Sequence, residues 1–470
     1  MKAMIRLACS TIALGIATIP VLGFSAPVFD ADSEVTPGSA IPMDVGPRSV
    51  SPYVAPRGVF VPESSKALPA EAGVRAHTNY VIYNPSGIQP RALADLRQPE
   101  PAADPTPNAT FTEDPASLSC LYRMGPTYAG CAPIINAAYN ATGGSRAIAI
   151  VIAYDNPTVL ADLQFFSTFF GLPAPNFTKV YANGNGHCTT PPFNAGWATE
   201  SALDTQWAHA MAPAAPIILV EACSNSYADL FYAEGIAAQK LLPYGGGQVS
   251  NSWGGAEFAA ETTYDAVFRT NWVAGKPISY IVSAGDSGLG AEYPSSSPWV
   301  ISAGGTTINR DPTTKAFLSE SCWAGSGGGT SLYETYHTTT FTGTGPWTNY
   351  LYPLFGQASR RTPDISFDAD PASGAYVRYA GNWLIVGGTS LSAPALAGII
   401  NNSNNRLGVA PSLGGYFTNA EDNLLYAQLL TYKEYVTNFY DVRTGSNGAA
   451  ALVGWDYCTG VGSPRGKLGK

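Results

Sequence analysis

The chain has 470 residues, which is long enough for a large core and more than one domain. Charged residues make up only 13% of it, and 34 acidic against 25 basic residues give a formal net charge of -9. This acidic balance argues against nucleic acids and anionic membrane surfaces as partners.

The chain begins with a pattern typical of a secretory signal peptide. Lys2 and Arg6 precede an apolar run that ends in small residues near Ser25 and Ala26. We therefore expect residues 1–26 to be removed and the mature protein to be exported, as a secreted or periplasmic protein. No later apolar run is long enough to span a bilayer, so no membrane association is expected once the signal is removed.

A leader rich in Pro, Ala and Ser follows, over residues 27–115. Only "HTNYVIYN" within it has the composition of a strand. The rest lacks the apolar content of a packed core. We interpret these residues as a leader or linker that precedes one large domain, residues 116–470.

The pattern of apolar and polar residues changes near Cys120. Apolar runs such as "AIAIVIAYD", "APIILVEA" and "ISYIVSAGDSG" alternate with helix-like segments. This alternation predicts an α/β fold with a doubly wound, mostly parallel sheet and helices on both faces. Functional residues in such folds gather at the carboxyl ends of strands, and several runs here end at polar residues: Asp155, Ser252, Asp286 and Ser390.

Six cysteines remain after Cys9 leaves with the signal peptide. They are Cys120, Cys131, Cys188, Cys223, Cys322 and Cys458. An even number in an oxidising compartment predicts three disulfides, with Cys120 and Cys131 as the first pair. The spacings contain no CxxC or HExxH, which disfavours zinc.

The segment "GGTSLSAPALAG" has a pattern that could position a nucleophilic serine. Ser390 would lie where a strand passes through Gly387 and Gly388 into a helix, so that backbone amides face its hydroxyl. The alternative is an ordinary Gly-Thr-Ser cap at a helix start.

Histidine is the usual base for such a serine, but the setting of each histidine is unconvincing. His77 lies in the leader, while His187 and His337 lie in loops. His209 shares a helix with acidic residues and is interpreted as a surface or packing residue. A histidine-dependent hydrolase that uses His209 is the rival reaction class.

Carboxyl groups are better candidates for the base. Glu200 and Asp204, in "GWATESALDTQWAHAMAP", are four residues apart and therefore share one face of a helix. Sharing a proton would relieve their repulsion and leave one of them as a base that the other orients. The alternative is a solvated acidic face.

Asp286, in "SYIVSAGDSGLG", is a third candidate. It ends a strongly apolar run, and in its protonated form it could donate a hydrogen bond to an oxyanion formed by attack of Ser390. The alternative is a capping or turn aspartate.

Together these segments resemble the sedolisin family, the serine-carboxyl peptidases, whose fold is similar to that of subtilisins. The resemblance covers about residues 116–466, and "ESALD", "SAGDSG" and "GGTSLSAP" follow one another in the family's order. It implies the following roles: Glu200 as general base, Asp204 as its orienting partner, Asp286 as the protonated oxyanion donor and Ser390 as nucleophile. Most family members carry a large folded prodomain, so the leader here could be a short inhibitory propeptide, a linker or a remnant.

The resemblance extends to a calcium loop in "YDVRTGSNG" and "LVGWDYCTGVGSP". It implies Ca2+ as a cofactor, held by the carboxylates of Asp441 and Asp456 and by the carbonyls of Val442, Leu452 and Gly454. A glycine is expected where Leu452 stands, although a carbonyl ligand needs no particular side chain. The alternative is a turn-rich loop without a metal.

These inferences combine into one functional expectation. The chain should be a secreted, monomeric serine-carboxyl peptidase acting on proteins or peptides, more an endopeptidase than an exopeptidase. An acidic optimum is expected because Glu200 must ionise or share a proton while Asp286 stays protonated. Ser252, Trp253 and Gly254 should bind substrate backbone as an added strand. The alternative from another class is a non-catalytic binding scaffold with a subtilisin-like fold.

Overall fold

The computed structural model describes residues 58–84, 112–270, 276–335, 359–403, 425–426, 428–430 and 432–466. The predicted signal peptide and the greater part of the predicted leader lie outside these ranges. Among the described residues, no helix is both long enough and apolar enough to cross a membrane.

The strands, in chain order, are β1 Val59–Phe60, β2 His77–Thr78, β3 Val81–Tyr83, β4 Ala147–Ala153, β5 Phe177–Ala182, β6 Ile217–Ala222, β7 Gly247–Asn251, β8 Trp253–Ala256, β9 Ile278–Ser283, β10 Glu292–Tyr293, β11 Ile301–Arg310, β12 Phe317–Cys322, β13 Gly329–Thr335, β14 Ser359–Thr362, β15 Ile365–Asp368, β16 Ala375–Tyr379, β17 Asn382–Gly387, β18 Phe439–Tyr440 and β19 Ser463–Pro464. The α-helices are α1 Pro115–Leu121, α2 Val159–Phe170, α3 Ala195–Met211, α4 Tyr227–Leu241, α5 Ala266–Thr270, α6 Thr389–Asn402 and α7 Tyr432–Asn438.

The central sheet has the strand order β12-β11-β9-β7-β4-β6-β5, with β15 also paired to β11. Neighbouring strands run parallel except for the pair of β11 and β12. Every residue of β4 is buried, and because alternate side chains point to opposite faces, both faces of the sheet are covered. The predicted α/β fold with a mostly parallel sheet is confirmed.

Three long helices place the functional segments. α3 and α6 pack against each other, and both contact strands of the central sheet, while α4 packs against β4 and β6. Their contact brings the acidic pair of α3 toward the start of α6. Gly398 of α6 allows this close approach, because an added Cβ would lie 2.7 Å from the Cβ of Met211 and 2.9 Å from the carbonyl oxygen of Ala208.

Part of the predicted leader belongs to the body of the domain. "HTNYVIYN" forms two short strands, of which β2 pairs antiparallel with β8 and β3 pairs antiparallel with β17. The side chains of Tyr80 and Ile82 are fully buried in the main core. For residues 58–84 the predicted boundary at residue 116 is therefore wrong, because their apolar side chains and strand hydrogen bonds are satisfied by the domain that follows.

The three expected disulfides are present. They join Cys120 to Cys131, Cys188 to Cys223, and Cys322 to Cys458. The last of these links β12 to the C-terminal loop across 136 residues of sequence, a loop length at which a cross-link restricts the unfolded chain strongly.

Candidate active site

The acidic pair lies on α3, which begins with a well-formed cap. The side chain of Asn194 accepts hydrogen bonds from the N–H groups of Gly196 and Trp197. One turn further on, Glu200 and Asp204 lie on the same face, and both are fully buried. The alternative of a solvated acidic face is therefore wrong for these two residues.

Ser390 lies in the first turn of α6, directly after β17. Its Oγ donates a hydrogen bond to Glu200 Oε2 at 3.0 Å and lies 3.3 Å from the carbonyl oxygen of Ser252. Gly388 makes this turn possible, since it adopts φ +107°, a left-handed conformation that favours glycine. The packing of α6 against α3 thus brings the predicted nucleophile and the predicted base into direct contact.

Asp204 is tied to the same serine through Ser252. The hydroxyl of Ser252 donates to Asp204 Oδ1 at 2.7 Å and also lies 3.3 Å from the carbonyl oxygen of Ser390. Glu200 Oε1 and Asp204 Oδ2 are both buried, and among the described residues neither has a separate hydrogen-bond partner. A proton shared between these two oxygens would satisfy both of them.

Burial dominates the proton affinity of the pair. It raises the pKa of Glu200 well above its ordinary value, and the negative charge of Asp204 raises it further. Burial also raises the pKa of Asp204, while hydrogen bonds from Ser252 and Glu200 act in the opposite direction. The pair is therefore able to hold a proton where isolated carboxylates would be ionised.

Asp286 follows β9 and reaches the same helix start. Its Oδ1 accepts hydrogen bonds from the Thr389 N–H at 2.7 Å and the Thr389 hydroxyl at 2.9 Å. Its Oδ2 is buried and has no hydrogen-bond partner among the described residues. Burial raises the pKa of Asp286 well above its ordinary value, so a proton on the free oxygen is favoured.

The Asn79 carbonyl oxygen, which accepts from the Ser390 N–H, and Asp286 Oδ2 both lie close to Gly388. A Cβ added to Gly388 would lie 2.3 Å from the Asn79 carbonyl oxygen and 2.5 Å from Asp286 Oδ2. Any larger residue at position 388 would thus collide with the two groups that flank the Ser390 N–H.

The contact between Asn79 and Ser390 was not predicted from the sequence. Its N–H donates to Ser390 Oγ at 3.1 Å, and its carbonyl oxygen accepts from the Ser390 N–H at 2.8 Å. The strand character of "HTNYVIYN" was the available signal, but nothing local in the sequence connects Asn79 with a serine 311 residues away.

The predicted substrate-binding residues lie beside this segment. Trp253 and Gly254 belong to β8, where they pair with Thr78 and His77 of β2. The Trp253 side chain is fully buried and donates from Nε1 to the carbonyl oxygen of Val151, so it anchors β8 to β4 of the central sheet.

The histidines that the structure describes do not contact Ser390 Oγ. His209 is buried, hydrogen-bonds the carbonyl of Pro173 through Nε2 at 3.0 Å, and has its pKa lowered to about 4 by burial. It is a packing residue, as one of the two interpretations had it. His187 pairs with Asp229 in another loop, and His337 lies outside the described residues.

The predicted calcium ligands make a different set of contacts. Asp441 accepts hydrogen bonds from the Gly454 N–H and from Arg443, and Asp456 accepts one from the Leu452 N–H at 3.1 Å. Among the described residues, no group of three His, Cys, Asp or Glu side chains could hold a metal. The two carboxylates accept hydrogen bonds from N–H and O–H donors here, and the predicted site adds three backbone carbonyls to them. Calcium binding stays a prediction, and no chemistry is assigned to it.

Comparison with known proteins supports the resemblance seen in the motifs. No family model matches the chain. Kumamolisin from Bacillus sp. (strain MN-32) is 29% identical over 363 residues, covering 69% of this chain and 59% of kumamolisin. Tripeptidyl-peptidase 1 from Dictyostelium discoideum is 27% identical over 348 residues, covering 68% of this chain and 53% of that protein. The chain thus matches little more than half the length of these relatives.

The fold comparison agrees. The solved structure of Pseudomonas sedolisin, a serine-carboxyl proteinase in complex with pseudo-iodotyrostatin, has a TM-score of 0.58 at 24% identity. The alignment covers 76% of this chain and 96% of that one. The architecture is therefore that of the subtilisin-like α/β proteins. Within that class, the chain is similar in sequence to proteins of the sedolisin family.

Proposed function

We propose that the protein is a serine-carboxyl peptidase that hydrolyses protein or peptide substrates in acid. The observation that carries the proposal is the hydrogen bond of 3.0 Å from Ser390 Oγ to Glu200 Oε2, at a site where both groups are fully buried. Kumamolisin and a tripeptidyl-peptidase are among the relatives, which supports the same reaction class.

The first step is attack on the substrate carbonyl. Ser390 Oγ forms a bond to the carbonyl carbon while its proton passes to Glu200 Oε2. Asp204 supports this transfer, because a proton shared with Glu200 keeps the base oriented and adjusts its charge. Glu200 then gives the proton to the leaving amine, and water releases the acyl group from Ser390.

The oxyanion is stabilised by two donors. The Ser390 N–H already donates to a carbonyl oxygen at 2.8 Å, which is the geometry that a substrate carbonyl would need. A protonated Asp286 supplies the second donor from Oδ2, since its Oδ1 is held by Thr389. An ionised Asp286 would repel the oxyanion instead.

The protonation states that this mechanism requires favour activity at acidic pH. Asp286 must keep its proton, while the Glu200–Asp204 pair must have lost at least one of its two protons. Burial raises the pKa of Asp286, and this sets the alkaline limit of activity at the point where Asp286 ionises. Full protonation of the acidic pair sets the acid limit.

Cleavage within a chain, rather than removal of terminal residues, is the mode that we propose. Residues 77–83 lie across the site. They pair with β8 on one side of Ser390 and with β17 on the other side. Backbone is thus accommodated on both sides of the serine, as an endopeptidase requires. Strand addition of substrate to β8 is the binding mode proposed for Ser252, Trp253 and Gly254.

Export is part of the same proposal. The three disulfides support an oxidising compartment, and the N-terminal pattern supports secretion. Proteins and peptides outside the cytoplasm are then the substrates, and we propose a monomer as the active form.

The test is hydrolysis of a denatured protein from strongly acid to neutral buffer, by the wild type, Ser390→Ala and Glu200→Gln. We expect activity in acid alone and its loss in both variants. Activity that survives Glu200→Gln would contradict the proposed base, and absence of activity from the wild type in every buffer would favour the binding scaffold. A peptide substrate blocked at both its N-terminus and its C-terminus separates the two modes, because only an endopeptidase degrades it.

A further inference from the structure

Residues 331–334, in the middle of β13, are held to the domain by a carboxyl group of another segment. The pairing of β13 with β14 is irregular over this stretch. There the carboxyl group of Glu257 accepts hydrogen bonds from the Ser331 hydroxyl and, at 3.1 Å, from the Leu332 N–H. We name residues 331–334 the latch, because side-chain contacts fasten this part of the strand where its ladder is interrupted.

The latch is folded around the Ser331 hydroxyl. The same oxygen that donates to Glu257 accepts hydrogen bonds from the Tyr333 N–H at 3.2 Å and from the Glu334 N–H at 2.8 Å. Glu334 is only 3% exposed, and its Oε1 is buried without a hydrogen-bond partner among the described residues. The latch therefore depends on two carboxyl groups, that of Glu257 beneath it and that of Glu334 within it.

Four carboxyl groups meet at the inner side of the latch. Glu257 lies within hydrogen-bonding reach of Glu261, and Glu334 lies within reach of Asp265. Glu261 and Asp265 are buried as Glu334 is. Ionising every member of such a group is costly, and a proton shared within each pair replaces repulsion by a hydrogen bond.

The groups that face these four carboxyl groups are mostly neutral donors. They are the Phe258 N–H, the hydroxyls of Ser296, Ser297 and Tyr293, and the phenol of Tyr227 on α4. Among the described residues, Arg269 is the cation that acts on Asp265, and its guanidinium lies over the ring of Trp299 at 5.4 Å. Burial raises the pKa of Asp265 to about 6, and the charge of Arg269 lowers it by less. Protons, more than a cation, therefore balance the charge here.

We propose that the latch is a pH-sensitive switch, held closed in acid by the protons shared within the two carboxyl pairs and released when those protons are lost. Two ionised members of a pair repel each other at hydrogen-bonding distance. Release of the latch relieves this repulsion, because it carries Glu334 away from Asp265 and into water. The switch goes beyond the proposed peptidase function and does not depend on it.

The range of the switch follows from the two carboxyl groups that hold their protons longest. Burial raises the pKa of Glu261 and that of Glu334 from 4.5 to about 9, and the neighbouring carboxylates raise both further. The closed state thus holds protons that exposed carboxyl groups have already lost. Its stability is therefore greatest in acid and falls as pH rises toward about 9.

The latch is continuous with residues that flank Asp286. The Gly327 N–H donates to the Gly285 carbonyl oxygen at 2.7 Å, and Gly328 and Gly290 exchange hydrogen bonds of 2.9 and 2.7 Å. These contacts lie on both sides of Asp286 and directly before β13. We therefore expect release of the latch to loosen the loop that carries Asp286.

Hydrogen–deuterium exchange of the full chain tests the switch without any need for activity. Ser390→Ala serves as the background in every sample, so that digestion by the protein itself does not interfere. Exchange at about pH 5 and about pH 9 is corrected for the intrinsic amide rate at each pH. We expect the protection of residues 331–334 to fall by at least about tenfold at the higher pH, the effect of a shift of one pKa unit.

Two other regions complete this measurement. The core strand β4 should stay protected at both pH values, and a parallel loss there would show global unfolding and overturn the switch. Unchanged protection of the latch would overturn it as well. The amides of Gly288 and Gly290 should lose protection together with the latch, and their full retention would overturn the link to the Asp286 loop.

A double variant tests whether the carboxyl pairs are the cause. Glu261→Gln with Glu334→Gln places an amide donor in each pair at every pH, so the latch should stay protected at about pH 9. Glu234→Gln, at a buried acid of α4 outside the four carboxyl groups, is the matched control and should leave the release unchanged. Release of the latch in the double variant to the same extent as in the control would overturn the proposal.

Discussion

Buried carboxyl groups are neutralised in two ways in this protein. Away from the active site, Glu113 accepts two hydrogen bonds from the guanidinium of Arg310, at 2.6 and 2.7 Å, and Asp364 accepts two from Arg360, at 2.7 and 2.6 Å. At the active site, Glu200 and Asp204 meet serine hydroxyls, and among the described residues neither pairs with a lysine or arginine.

The difference follows from what each group has to do. A guanidinium holds a carboxylate permanently ionised and fixes two segments of the chain together. A carboxyl group that must take and return a proton needs its charge to remain adjustable. Burial without a cation supplies this, because it raises the pKa of Glu200 far above its ordinary value.

The largest effect on activity should come from removing the carboxyl group that takes and returns a proton at the active site. Glu200→Gln keeps the size of the side chain but cannot accept the Ser390 proton, so kcat/KM should fall by about 10⁴-fold. Because a neutral amide suits the buried position, the Tm at neutral pH should be equal to or above that of the wild type. Steady-state kinetics and calorimetry on the same sample check both effects. A fall in activity that came with a large fall in Tm would point to a folding defect instead.

The opposite change breaks a buried ion pair away from the active site. Arg310→Met leaves Glu113 buried without its cation, and we expect a loss of about 3–5 kcal/mol in the free energy of unfolding. Arg443→Met is the control, since Arg443 is half exposed where it pairs with Asp441 and should contribute less than about 1 kcal/mol. Urea denaturation measures both. Equal losses would mean that burial does not distinguish the two pairs.

The same contrast explains what the sequence could predict. Glu200 and Asp204 are one helical turn apart, and Ser390 and Asp286 each follow an apolar strand, so each can be recognised within a short segment of sequence. The segment of residues 77–83, which contacts Ser390, could not be found in this way. Its strands are only two and three residues long, and their register depends on partners far along the chain in β8 and β17. Its Pro-rich surroundings also predicted a linker.

Asp286 allows a test of protonation itself. Asp286→Ala removes the second oxyanion donor and should lower kcat by about 10²–10³-fold. Asp286→Asn keeps a neutral donor at every pH. It should therefore retain more activity than Asp286→Ala, and it should lose the alkaline fall that ionisation of Asp286 causes in the wild type. The measurement is the pH profile of kcat for the three proteins, and an unchanged alkaline limb in Asp286→Asn would assign that limb to another group.

The smallest expected effect concerns a buried acid that has neither a catalytic role nor, among the described residues, a cation. Burial of Glu234 on α4 raises its pKa from 4.5 to about 8. The folded protein thus holds a proton that the unfolded chain has already lost in this range, so the free energy of unfolding falls as pH rises from about 4.5 to about 8.

Glu234→Gln removes this dependence. It should leave stability in acid nearly unchanged and raise it above pH 8 by on the order of 2 kcal/mol, an amount that local relaxation around a buried charge limits. Denaturant unfolding at several pH values gives the comparison. If the variant and the wild type lost stability in parallel as pH rises, Glu234 would not be the source, and other buried acids with raised pKa values, such as Glu221, would have to account for the loss.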